Sequence, residues 1–313
     1  MAGDGRGEFR VAFVLGGGGV MGAHEVGMLQ ALAEAGIRPD LILGTSVGAL
    51  NGVFVAADPD APLKTLLRVW RDGAVTEAFR GSVFGRVATL ARSGTHLHSN
   101  EPLRRLLHEL LPVDRIEDLA VPFQCVAASI EQASAHWFTS GPVVPAVLAS
   151  AAVPGLLPSV RVGREHFLDG GLVHSIPVGR AVQLGARAVY VLHVGRIERP
   201  LEAPKRPWEV GMVAFEIARR HRFAEEMASL PPGVKVHVLP AGVEGTSRGA
   251  ELSQLRYPNF SHVDGDIERA YKASAAYLAG AAAGSRRRKS EASGAAAEGE
   301  AEPSVRHRPE RRR

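Results

Sequence analysis

Residues 10–48 read RVAFVLGGGGVMGAHEVGMLQALAEAGIRPDLILGTSVG. The run 10–15 is short and apolar and is stopped by Gly16, which predicts a buried strand. Residues 22–35 carry Val26, Leu29, Leu32 and Ala33 at helical spacing and stop at Gly36, a C-terminal cap signal. Residues 41–43 predict a second strand ending at Gly44, and 47–57 a helix directly after it. Two strands, each followed at once by a helix, set the pattern of an α/β domain with a largely parallel sheet. In such sheets ligands bind beyond the C-terminal ends of the strands.

The pattern continues outward. Helices are predicted at 63–71, 101–111, 143–151, 178–184, 208–230 and 263–278. Strands are predicted at 122–130, 160–168, 188–194 and 234–239, with 135–139 able to pair beside 122–130. The expected architecture is a three-layer α/β/α domain over 10–280, preceded by a short tail (1–9) and followed by a charged tail (281–313). That last segment lacks apolar periodicity and large apolar residues, so its composition predicts disorder.

Composition narrows the function classes. Nine of the 37 Lys+Arg and five of the 33 Asp+Glu lie in 281–313, leaving 28 basic and 28 acidic residues before them. The whole net charge of +4 therefore belongs to the tail, which argues against a globally basic nucleic-acid-binding domain. One cysteine, Cys125, excludes an intramolecular disulfide framework and a cysteine-based metal cluster. No apolar run approaches about 18 residues, and 1–10 have no apolar signal core. The expectation is a cytoplasmic protein. Glycine is in excess, 35 of 313, where about 7% is usual.

That excess gathers in three turns, each after a predicted strand. In the first, Gly16, Gly17, Gly18, Gly19 and Gly22 lead into a helix. Consecutive glycines present backbone N–H groups without side-chain obstruction, and the helix N-terminus adds its dipole. The result is a site for an anion, either a phosphate or a developing oxyanion. In the second, Gly44-Thr45-Ser46-Val47-Gly48 is a G-x-S-x-G sequence between strand and helix, a turn that exposes a serine hydroxyl above a sheet. In the third, Asp169-Gly170-Gly171 closes the strand 160–168 and leaves a carboxylate accessible. A carboxylate near a serine hydroxyl can take its proton where geometry is fixed and water is limited.

In this order the three motifs resemble those of the patatin-like phospholipases, as do GTSVGALNG at 44–52, ASAAVPGLLPSV at 149–160 and FLDGGLVHSIPV at 167–178. The resemblance spans about residues 10–195. It implies a Ser–Asp dyad hydrolase with no catalytic histidine, Ser46 as nucleophile and Asp169 as general base. It also implies an oxyanion hole from the backbone N–H groups of Gly17, Gly18 and Gly19, supported by Gly22, Gly44, Gly48, Gly170 and Gly171. The implied substrate is a phospholipid or other fatty-acyl ester, with peripheral membrane contact allowed and no cofactor or metal needed. The chain departs from the family pattern at two places: Met21, where many members have Arg or Lys, and His174-Ser175, where Asn-Asn is frequent. A lipid-binding regulatory protein on the same fold is the alternative.

The same residues admit other readings. Gly17-x-Gly19-x-x-Gly22 with Asp40 about 20 residues on also fits a dinucleotide fingerprint. However, the acidic residue of that motif sits at the far end of the second strand, and Asp40 is at the near end. A Ser-Asp-His triad is permitted by chain order, since His193, His221, His237 and His262 follow Asp169. That fold, however, places several strands before its nucleophile. Ser46 alone would read as a helix N-cap, and Asp169 as a turn residue. His24 reads as packing, His96 and His98 as surface residues, and Cys125 as core. His174 is open between lining the site and a structural role. The stretch 79–98 is a basic amphipathic segment, read either as a core-facing helix or as a membrane-contacting lid.

Overall fold

The computed structural model describes residues 9–71, 75, 89, 91–194, 200–242 and 262–299. Eight strands form one sheet: β1 (Val11–Leu15), β2 (Leu41–Thr45), β3 (Phe123–Ser129), β4 (Ser134–Phe138), β5 (Val160–Val162), β6 (Glu165–Asp169), β7 (Ala188–Leu192) and β8 (Lys235–Leu239). Strands β3, β2, β1, β7 and β8 run parallel in that order. The antiparallel strands β4, β5 and β6 gather at the β3 end.

Helices cover both faces. Among the described residues they include α1 (Ala23–Glu34), α2 (Val47–Ala57), α3 (Pro62–Arg71), α4 (Glu101–Leu110), α5 (Val143–Ser150), α6 (Val178–Gln183), α7 (Pro207–Ala228) and α8 (Val263–Gly299). The strand β1 shows why both faces must be covered. Phe13 and Leu15 join a core with residues of α1, α2, α3, α5 and α8. Ala12 and Val14 point the other way, against Val178 and Ala181 of α6 and Phe223 and Met227 of α7. A strand buried on both sides reads as a continuous apolar run, and that is how β1 appears in the sequence. The three-layer α/β/α expectation is met.

Two elements differ from the sequence reading. The single strand expected over 160–168 is a hairpin, in which Val162 pairs with Glu165 and Gly163 takes φ +63° in a two-residue turn. The connection is two residues long and β5 only three, too short for a period to register the turn. The last helix continues to Gly299, through part of the segment whose composition predicts disorder. Alanine, glutamate and arginine there favour helix locally, and lack of apolar surface bears on packing rather than on backbone conformation. Most of 79–98 lies outside the described residues.

The helix α8 crosses α1 at Gly27, where a Cβ would stand 2.1 Å from the Ile267 carbonyl oxygen and 2.7 Å from the Tyr271 nitrogen. Both neighbours are backbone and cannot rotate away. Gly27→Ala is therefore expected to lower stability by about 1–3 kcal/mol, despite alanine's advantage of roughly 1 kcal/mol in a helix. An unchanged midpoint in urea unfolding would show that α8 does not dock here.

Candidate active site

Ser46 stands between β2 and α2 at φ +57°, ψ −124°. A side chain in this region costs on the order of 1–3 kcal/mol and needs surrounding structure to hold it. The fold supplies that restraint. A Cβ on Gly48 would lie 2.2 Å from the Leu15 carbonyl oxygen, so the start of α2 rests directly on the end of β1. The Ser46 N–H donates to Ser150 Oγ on α5 (3.0 Å), and the Thr45 hydroxyl donates to the His174 carbonyl (2.8 Å).

Asp169 ends β6, which approaches from the opposite direction. Residues 127–129 of β3 pair with β4 and also with β6, so these two strands occupy opposite edges of β3. Because β4 also pairs with residues 125 and 126, the edge taken by β6 is the one that β2 uses over 123–126. Thus β2 and β6 meet end to end along one edge of β3. Thr45 pairs with Val126, and Asp169 with the next residue, Ala127. This arrangement brings together side chains 123 positions apart: Ser46 Oγ donates to Asp169 Oδ2 at 2.6 Å.

The other carboxylate oxygen, Oδ1, accepts from the Gly171 N–H at 2.7 Å, which fixes the carboxylate plane. Ser46 and Asp169 are both buried. Burial pushes the Asp169 carboxyl up to about 6, against the pull of the Ser46 hydrogen bond, the Gly171 N–H and the Arg219 charge. A carboxylate near neutrality is basic enough to take a hydroxyl proton and still largely ionised at pH 7.

The glycine loop lies beside the dyad: a Cβ on Gly17 would be 3.5 Å from that of Ser46. Its hydrogen bonds correct one expectation. The Gly17 N–H donates to the Ser175 carbonyl at 3.0 Å, so it is not available to an oxyanion. Sequence reasoning could not see this, because the acceptor lies far along the chain. The remaining donors of the expected set are Gly18 and Gly19, with Gly19 at φ +58° opening a 3-10 turn (Gly19–Gly22).

Two buried groups, on either side of this loop, escaped the sequence reading. Arg219 of α7 donates from Nη1 to the Gly17 carbonyl (3.2 Å) and from Nη2 to Glu216 (2.8 Å). The signal was present: Phe215, Arg219, Phe223 and Met227 recur every four residues, a charge within an apolar stripe. Glu25 of α1 accepts from Asn51 Nδ2 (2.8 Å), which also donates to the Gly22 carbonyl, while Trp70 Nε1 donates to Asn51 Oδ1. Burial pushes the Glu25 carboxyl well above the usual range.

The other candidates take structural places. His24 is buried, with Nδ1 on the Met21 carbonyl (2.9 Å) and Nε2 at 3.7 Å from Asp266 of α8. Cys125 is fully buried within β3, and burial pushes its thiol up. His174 Nδ1 bonds Glu226 of α7 at 2.8 Å, and its ring lies against Trp137. His96 and His98 are half-buried. Asp40 accepts from the Arg10 and Val11 N–H groups at the start of β1, the end of the sheet away from the dyad. Among the described residues no helix is long and apolar enough to cross a membrane.

The patatin-like phospholipase family model matches residues 13–182. Over 191 residues the chain is 32% identical to the patatin-like phospholipase domain-containing protein ZK370.4 of Caenorhabditis elegans, covering 60% of this chain and 14% of that protein. Over 188 residues it is 31% identical to lysophospholipase nte1 of Emericella nidulans, covering 60% of this chain and 12% of that protein. The matches thus span only about one-eighth of each relative's length. Among solved structures, VipD from Legionella pneumophila superposes with a TM-score of 0.42 at 15% identity, over 88% of this chain and 67% of that one. The stretch matched by the family model covers more than half of the chain and carries the glycine loop, Ser46 and Asp169, so the chain belongs to the patatin-like phospholipase family.

Proposed function

We propose that this chain is a serine lipid acyl hydrolase of phospholipase A or lysophospholipase type, working through a Ser46–Asp169 dyad. The observation that carries the reading is the 2.6 Å bond from Ser46 Oγ to Asp169 Oδ2, made by a serine held at positive φ. Ser46 Oγ attacks the acyl carbonyl carbon while its proton passes to Asp169 Oδ2. The N–H groups of Gly18 and Gly19 receive the oxyanion. Collapse of the tetrahedral intermediate breaks the ester bond, and Asp169 returns the proton to the departing alcohol. Water then attacks the acyl-enzyme with Asp169 again as base, releasing the fatty acid and restoring Ser46. The membership of the family and the lysophospholipase name of a 31% identical relative support a lipid ester as substrate.

A fluorophosphonate probe is expected to label Ser46 in stoichiometric amount, located by peptide mass spectrometry. The labelled protein should no longer release fatty acid from lysophosphatidylcholine or from phosphatidylcholine vesicles. Labelling at another residue, or none, would remove the proposed nucleophile. Labelling without turnover on any ester of a varied panel would favour a lipid-binding regulatory protein.

A further inference from the structure

The geometry points to Arg219 as a positioning residue that sets the direction of the oxyanion donor, an inference that rests on the hydrolase reading above. In a trans peptide the carbonyl of one residue and the N–H of the next point in opposite directions. Arg219 Nη1 holds the Gly17 carbonyl at 3.2 Å. The Gly18 N–H is therefore aimed away from the guanidinium, and it cannot turn without breaking that bond. The Gly17 N–H is tied as well, to Ser175. Glycines 16–19 have no side chains to pack, and these two bonds join those from the Gly16 N–H to the Leu192 carbonyl (2.9 Å) and from the Met21 N–H to the Gly18 carbonyl (3.3 Å) in holding the loop. Among the described residues, Arg219 is the cation bonded to the loop, whose own position 21 is a methionine.

The helix that carries Arg219 touches the other half of the site too. A Cβ on Gly171 would stand 2.8 Å from the Phe215 ring. Glu226 accepts from the Gly179 N–H and bonds His174. So α7, which follows the family-matched segment, braces both the oxyanion loop and the turn that fixes Asp169. Arg219 is buried and its Nε is without a hydrogen-bond partner. Such a group is expensive to bury, and its bonds to Glu216 and Gly17 offset part of that cost.

Among the described residues, the charged and titratable groups around this point are Glu216 and Arg220 on α7, which are paired with each other, Asp169 on β6, the His174–Glu226 pair, the buried His193 just after β7 with its ring beside Gly16, and Glu25 on the far side of the loop. Of these, Asp169 feels the Arg219 charge, which favours its ionised form.

The test separates orientation from charge. Arg219→Gln removes both. Its kcat is expected to fall by about 10–100-fold with KM little changed, in keeping with the effect of losing or misaligning one oxyanion donor. Its acid limb should move to higher pH by about one unit, because the nearby positive charge is gone. Arg219→Lys keeps the charge without the planar fork. It should return the acid limb to its wild-type position while recovering kcat only in part. Far-UV circular dichroism and urea unfolding check that each variant is folded, and Arg219→Lys carries the test should Arg219→Gln fail to fold.

Wild-type kcat and an unmoved limb in folded Arg219→Gln would overturn the inference. So would full recovery of kcat in Arg219→Lys, which would leave charge alone as the cause. Fluorophosphonate labelling distinguishes this failure from failure of the hydrolase reading. If wild type is labelled at Ser46 and Arg219→Gln is labelled equally fast, only the role of Arg219 is lost. If wild type is not labelled, the parent reading falls.

Discussion

Ser46→Ala is expected to reduce fatty-acid release by a factor on the order of 10⁴–10⁶, the scale seen when an acyl-transfer nucleophile is deleted. The substitution removes the atom that attacks and the donor of the 2.6 Å bond to Asp169. Some rate above background should remain, because the oxyanion donors are untouched. The variant's stability carries a second test. Alanine keeps a Cβ at φ +57°, so the backbone strain stays, while glycine at the same position relieves it. Ser46→Gly should therefore be as inactive as Ser46→Ala but more stable by about 1–2 kcal/mol, once glycine's greater unfolded-state freedom is subtracted. Equal hydrolysis by either variant would end the mechanism. Equal unfolding midpoints would mean that the turn is not strained.

Asp169→Asn should lose roughly 10²–10⁴ in kcat, the usual contribution of a general base, and should gain stability at neutral pH. In the fold the Asp169 carboxyl is raised from 3.8 to about 6. Between those values the folded state binds more protons than the unfolded one, so stability falls as pH rises through this window. Above about pH 6 the penalty is complete, on the order of 3 kcal/mol at 1.36 kcal/mol per pH unit. Asparagine is close in shape, can accept from the Gly171 N–H and can donate to Ser46 Oγ, and it carries no charge to bury. The variant should therefore exceed wild type in urea midpoint at pH 7.5. The advantage should shrink as pH falls below 6 and vanish near pH 4. The same ionisation sets the wild-type activity, which should drop about tenfold per pH unit below about 6. A variant no more stable than wild type at pH 7.5 would mean that burial does not penalise this carboxylate.

The parts legible in the sequence are those written locally. The central strands β1, β2 and β3 appear as short apolar runs because both their faces are covered, and β1 and β2 end at glycine turns. Ser46 and Asp169 stood out as candidates because glycines that allow close approach flank the hydroxyl and follow the carboxylate, and the family resemblance supplied their proposed roles. What stayed hidden depends on contacts between distant segments. Ser175 takes the Gly17 N–H, and no spacing rule links residue 17 to residue 175. Arg219 reads as one more polar residue on a long helix until the four-residue stripe through Phe215 and Phe223 is followed. The hairpin at Gly163 was missed for the opposite reason. Its three-residue β5 is too short for a period to declare itself, and only Gly163 and Arg164 separate it from the next strand.

The end-to-end meeting of β2 and β6 on one edge of β3 makes this protein an internal gauge of its own strand pairing. If β6 slipped by one residue along β3, Asp169 would move about 3.3 Å and its carboxylate would turn to the other face of the sheet. Helix content, and with it the far-UV spectrum, would barely change. Refolded material of native-looking secondary structure would then contain two populations, one fully competent and one inert, with nothing between them. The fraction of chains that react with an active-site probe would count correctly paired molecules directly, which no bulk spectroscopic signal of this fold can do.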